Sequence, residues 1–90
     1  MRYDIKKTAN IFKALSHPTR LAIVRGILNS DGCNVTVIVK NLGLLQPNVS
    51  QHLCILKNAN IIKGYKKGSQ ICYKIIDKQV EEFIKNWEMT

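Results

Sequence analysis

The sequence predicts a single, mainly helical domain with one two-stranded hairpin, in the order α-α-α-α-β-β-α. Four observations predict it. Apolar residues recur at helical spacing through the first two thirds of the chain, and a paired run of β-branched and aromatic residues follows. An amphipathic stretch closes the chain, and 90 residues leave no room for a second core.

The elements follow in order. Asp4 is placed to cap a first helix in which Ile5, Ala9, Phe12 and Leu15 share one face. Ser16-His17-Pro18 breaks that pattern, and Pro18 suits the first turn of a second helix carrying Leu21, Val24, Ile27 and Leu28 to Asn29. Asn29-Ser30-Asp31-Gly32 is dense in turn formers. Asn34 then caps a short third helix with Val35, Ile38, Val39 and Leu42, which stops before Gly43. Pro47 lies in the first turn of a fourth helix, whose stripe is Val49, Leu53 and Leu56 and which fades at Asn58-Ala59-Asn60. Ile61 to Tyr65 and Gln70 to Ile76 read as strands around a turn at Lys66-Lys67-Gly68-Ser69. Asp77 caps a last helix with Val80, Phe83, Ile84 and Trp87 on one side and Glu81, Glu82, Lys85 and Glu88 on the other.

Two helices across a glycine-containing turn, followed by a basic hairpin, make a winged helix-turn-helix. One domain is expected over 1–90, with the helix-turn-helix at about 35–58 and the wing at about 61–76. The first and last helices are then left for dimerisation. A chain this short buries only about 60% of the surface its unfolded form exposes, so a partner subunit adds stability.

Charge narrows the partner. Fourteen Lys plus Arg stand against six Asp plus Glu, a formal charge of +8, and from Gly32 to Ile76 the chain carries Lys40, Lys57, Lys63, Lys66, Lys67 and Lys74 with no acid. Such a stretch suits a polyanion, with nucleic acid ahead of an anionic membrane. Asp77, Glu81, Glu82 and Glu88 make the C-terminal segment a different surface. No apolar run approaches the ~18 residues of a membrane span, and the N-terminus lacks a secretory core, so a cytoplasmic protein with no membrane partner is expected. Cys33, Cys54 and Cys72 form an odd set with no C-x-x-C pair, which argues against a disulfide framework and fits a reducing compartment.

If the fourth helix turns Val49, Leu53 and Leu56 inward, Asn48, Ser50, Gln51 and Cys54 face outward, with Gln46 at the helix start. Amide side chains bond bidentately to adenine and hydroxyls serve bases or phosphates, so Gln46, Asn48, Ser50 and Gln51 are the expected base readers. Thr36, Lys57, Lys66 and Lys67 are the expected phosphate contacts. An ordinary solvated helix face more often carries Lys and Glu than this uncharged set.

Ala14-Leu15-Ser16-His17-Pro18-Thr19-Arg20-Leu21-Ala22-Ile23 and Leu45-Gln46-Pro47-Asn48-Val49-Ser50-Gln51-His52-Leu53-Cys54-Ile55-Leu56-Lys57, with Gly68 and Tyr73 in the wing, resemble the ArsR/SmtB-type winged-helix repressors. The likeness covers nearly the whole chain. It implies a homodimer that docks two recognition helices in successive major grooves of an operator and blocks transcription until an effector loosens it; a double-stranded operator with an inverted repeat, and control by an unknown effector or a protein partner, are expected here. Ser69 and Cys72 depart from the Arg and the first Tyr that many members carry in the wing, and Leu45 stands in place of a Ser or Thr cap.

The resemblance also tests metal sensing. The Cys-x-Cys of the arsenic- and cadmium-type site falls on Asn34 and Thr36, and the segment from Asp77 to Thr90 has no His for a zinc site across two final helices. No metal and no cofactor are therefore expected. Cys54, Cys72 and Cys33 remain as redox candidates, Cys54 first because it follows the base readers by one turn and lies near Lys57, although free cysteines are most often small buried hydrophobes. No G-x-S-x-G, P-loop or H-E-x-x-H is present and Glu81-Glu82 lies on an exposed face, so an enzyme is not expected. An RNA-binding or acidic-protein interaction module is the remaining alternative, weakened by the lack of RRM aromatics and of a KH G-x-x-G. For dimerisation, Ile5 and Phe12 beside Lys6, Lys7 and Lys13 are set against Val80, Phe83 and Trp87 beside Glu81, Glu82 and Glu88.

Overall fold

A computed structural model describes residues 4–41 and 49–87, with the side chains of Thr36, Ile38 and Asn41 outside the description. Gln46, Pro47 and Asn48 lie outside it too. The elements are α1 (Ile5–Leu15), α2 (Pro18–Leu28), α3 (Val35–Asn41), α4 (Val49–Asn58), β1 (Ile62–Lys67), β2 (Gln70–Ile75) and α5 (Lys78–Trp87). This is a winged helix-turn-helix in the predicted order.

Caps set the helix starts. Asp4 Oδ1 accepts from the Lys7 N–H at 3.0 Å, and Asp77 Oδ1 accepts from the Val80 N–H at 3.0 Å. At α2 the cap is His17, whose Nδ1 accepts from the Thr19 N–H at 3.1 Å, with Pro18 at the first helical position. Each bond satisfies a donor that the first turn leaves without an intrahelical partner.

The core lies where α2, α3, α4, the strands and α5 meet. Ile23, Val24, Leu56, Ile61, Ile62 and Val39 are almost fully buried, each worth about 1.5–3 kcal/mol of transfer free energy. Val80 and Ile84 join them from α5. Two predicted helix faces are shifted. In α1 the buried residues are Ala14 and Leu15, with Ile11 packed beside them, whereas Ile5, Ala9 and Phe12 are exposed. In α2, Ile23 is buried and Leu21 is not, because the run Leu21-Ala22-Ile23-Val24 is apolar all round and carries little phase information.

The wing is an antiparallel pair in which Ile62 opposes Ile75 and Lys67 opposes Gln70. Its turn is therefore Gly68-Ser69, with Gly68 at φ +64°; Lys66 and Lys67 belong to β1 rather than to the expected turn. A two-residue hairpin needs positive φ at its first central position, which glycine supplies.

The expectation of unpaired cysteines is corrected: Cys33 and Cys72 form a disulfide. They are 39 residues apart, and tertiary packing brings them together. The Tyr73 N–H donates to the Gly32 carbonyl at 3.0 Å, which lays β2 against the loop ahead of α3. Cys33 and Cys72 are the adjacent residues on the two segments. Cys54 is free and exposed.

Candidate nucleic-acid interface

The face of α4 follows from its inward stripe. Leu53 and Leu56 are buried and Val49 is half-buried, so Ser50, Gln51, Cys54 and Lys57 are exposed. Among the expected readers, Ser50 and Gln51 thus stand on the solvent side of α4; Gln46 and Asn48 lie outside the described residues, as does the Thr36 side chain. Cys54 accepts a 3.7 Å contact from Asn58 Nδ2 one turn on.

His52 departs from this outward set. It is buried, its ring lies 4.5 Å from that of His17, and its Nδ1 is 3.3 Å from an Arg20 guanidinium nitrogen. A guanidinium only donates, so His52 Nδ1 accepts with its lone pair and the ring is neutral, with its hydrogen on Nε2. Burial, then the neighbouring His17, then Arg20 lower the His52 pKa below the ordinary histidine value. Arg20 Nε also donates to the Ala14 carbonyl at the end of α1. The sequence reading gave Arg20 no individual role; the guanidinium joins α1, α2 and α4 on the inner side of α4.

The wing adds cations. Lys63, Lys66, Lys67 and Lys74 are exposed along its strands, and Lys74 Nζ lies 5.8 Å from the Tyr65 ring centroid. Lys63 and Lys74 face each other in the register, which widens the basic surface beyond Lys66 and Lys67. Their outward placement follows from strand alternation, a signal already present in the sequence. The Tyr65 hydroxyl donates to the Asp31 carbonyl at 3.4 Å, tying the wing to the loop before α3.

On the other side, Phe12 of α1 and Phe83 of α5 meet edge to face at 6.2 Å, and Phe83 lies 5.8 Å from Trp87. Ile5, Phe12, Phe83 and Trp87 remain 69%, 56%, 44% and 76% exposed, a large apolar surface for a single chain. Val80 does not belong to it. At 4% exposure Val80 is part of the chain's own core, which corrects its assignment to a dimer face. The reason is helical phase: Val80 and Ile84 share the inward side, and Phe83 and Trp87 lie beside it. Among the described residues no group of three or more His, Cys, Asp or Glu is arranged to hold a metal ion, and no helix is long and apolar enough to cross a membrane.

Comparisons with known proteins agree with this geometry. An uncharacterised HTH-type transcriptional regulator of Methanocaldococcus jannaschii is 42% identical over 80 residues, covering 89% of this chain and 90% of that protein. The transcriptional repressor PagR of Bacillus anthracis is 37% identical over 82 residues, covering 91% and 82%. The PagR crystal structure superposes with a TM-score of 0.78 over 93% of this chain and 95% of that one, at 36% identity. The homodimeric winged helix-turn-helix DNA-binding domain of a Mycobacterium bovis protein, at 21% identity, matches in fold with a TM-score of 0.77 over 93% and 77%. The family model for bacterial regulatory proteins of the arsR family matches residues 17–63. The chain belongs to the ArsR family of winged helix-turn-helix regulatory proteins.

Proposed function

We propose that the protein is a homodimeric, sequence-specific DNA-binding transcriptional repressor that reads the major groove with α4 and holds the phosphate backbone with its wing. One observation carries the reading: an uncharged polar face of Ser50 and Gln51 on α4 adjoins Lys57 in a segment, Gly32 to Ile76, that has six lysines and no acid. Uncharged hydrogen-bonding groups discriminate base edges, and surrounding cations supply sequence-independent attraction. Its similarity to the transcriptional repressor PagR supports the direction of control. The exposed aromatic surface of α1 and α5 supports a two-fold dimer, whose symmetry an inverted-repeat operator would match.

Selection of binding sites from a random duplex pool tests this reading, with excess RNA as competitor. Gln51→Ala is expected to cost about 1–3 kcal/mol on the selected duplex and little on random DNA. Equal losses on both remove α4 from the reading role, and displacement by RNA favours the interaction-module alternative.

A further inference from the structure

We propose that Cys33 and Cys72 form a reversible thiol–disulfide site whose closure fixes the wing against the helix-turn-helix and tightens binding to duplex DNA. The affinity readout rests on the DNA-binding reading above; the chemistry of the site does not. Cys33 lies in the loop ahead of α3 and Cys72 in β2, and their disulfide is a covalent bond between the loop that leads into the helix-turn-helix and the wing.

The site is assembled by bonds other than the disulfide. Ser30 Oγ donates to the Gly26 carbonyl at 2.7 Å, the Gly32 N–H donates to Ser30 Oγ at 3.1 Å, and the Cys33 N–H donates to Asp31 Oδ1 at 3.0 Å. The bond from the Tyr73 N–H to the Gly32 carbonyl then holds β2 alongside. None of the four involves a sulfur, so reduction breaks none of them directly and leaves the two thiols near enough to reclose. Access is one-sided, because Cys72 is fully buried and Cys33 only half-buried.

That asymmetry orders the chemistry. In closing, the Cys33 thiolate attacks hydrogen peroxide and breaks its O–O bond, leaving a sulfenic acid and, after protonation, one water. The Cys72 thiol then attacks that sulfur, the S–S bond forms and a second water leaves. Two thiols and one peroxide become a disulfide and two waters. In opening, a thiolate of a small dithiol attacks Cys33 Sγ and expels the Cys72 thiolate, which takes a proton. The second thiol of the reagent closes on its first sulfur and frees Cys33.

The consequence reaches the recognition helix through a shared groove lined by Cys33, Val37, Val49, Ser50, Ile71 and Tyr73. The disulfide, the first turn of α4 and the wing therefore border one space. With the bond closed, α4 and the wing are held in one arrangement before DNA arrives; with it open, ordering the wing costs affinity.

The test uses the full chain after peroxide or dithiol treatment. Maleimide labelling with mass spectrometry should count one free thiol, Cys54, in the closed form and three in the open form. Hydrogen exchange at the Tyr73 amide should slow on closure, and fluorescence anisotropy on a selected duplex should show about 5–10-fold tighter binding by the closed form. Cys33→Ser should abolish all three differences and Cys54→Ser should leave them. Three free thiols after peroxide, or a closed form that binds no tighter than the open one, overturns the proposal. If neither form binds duplex DNA, the functional reading fails by itself. The site is then judged by thiol count and Tyr73 exchange, where no change overturns it.

Discussion

Gly32→Ala probes the contact between the loop and the hairpin directly. Gly32 has φ +75°, and a β-carbon built on it overlaps the carbonyl oxygen of Tyr73 in β2. Two costs add. Left-handed backbone costs an L-residue about 1–2 kcal/mol. The overlap is with backbone, which has no rotamer to move into, so the loop must retreat and lose the 3.0 Å bond from the Tyr73 N–H. That bond is worth about 1 kcal/mol, giving about 2–3 kcal/mol in all. Gly68→Ala is the control: φ is +64°, but nothing lies within 4 Å of the added carbon, so only the conformational cost applies. Urea unfolding followed by circular dichroism, with reductant present to remove the disulfide, measures both. Gly32→Ala should lose about 1 kcal/mol more than Gly68→Ala, or roughly 4–8 °C in melting temperature. Equal losses would refute a backbone-to-backbone approach of loop and wing.

Other predictions follow from the histidine pair, the aromatic face and the wing. The lowered pKa of folded His52 means that the unfolded chain binds that proton more readily, so its contribution to stability is full above about pH 6.5 and falls as pH drops toward the folded value. His52→Gln should flatten the decline in unfolding free energy as pH falls below about 6.5, and an unchanged slope counts against the assignment. Trp87→Ala should leave the unfolding of one chain almost unchanged, because the indole is 76% exposed. At a dimer centre the same change costs about 2 kcal/mol, or ~30-fold in the dissociation constant by sedimentation; an undisturbed dimer excludes Trp87 from the interface. Lys67→Ala should weaken specific and random duplexes alike and lower the salt slope by about 1, whereas a loss confined to one sequence would make Lys67 a base reader.

The sequence carried the fold well where one stripe or one cap decided the matter. Asp4 and Asp77 cap as expected, and Val49, Leu53 and Leu56 orient α4 and so expose Ser50 and Gln51. It carried less where an apolar stripe is wider than the face that the chain's own core covers. In α1, Ile5, Phe12 and Leu15 looked like one face, yet Leu15 turns inward with Ile11 and Ala14 while Ile5 and Phe12 turn out; on α5 the apolar side likewise divides, with Val80 and Ile84 inward and Phe83 and Trp87 beside them. The cysteine pair was illegible for another reason. Spacing of 39 residues says nothing about proximity, which depends on a β-strand lying against a loop through one backbone hydrogen bond. The positions Gln46, Asn48 and Thr36 remain expectations drawn from sequence.

Arg20 has a consequence for how the two surfaces of the molecule can move. Its Nε holds the last-turn carbonyl of Ala14 on α1, and another nitrogen of the same planar group holds the His52 ring on α4. One rigid fork thus spans the helix that bears Phe12 and the helix that bears Gln51. If α1 slides on its neighbour, either the fork lets go of one partner or α4 moves with it; the two helices are geared together at this point. A lysine offers a single flexible ammonium in place of the fork, so Arg20→Lys would keep the charge, hold one partner and release the other.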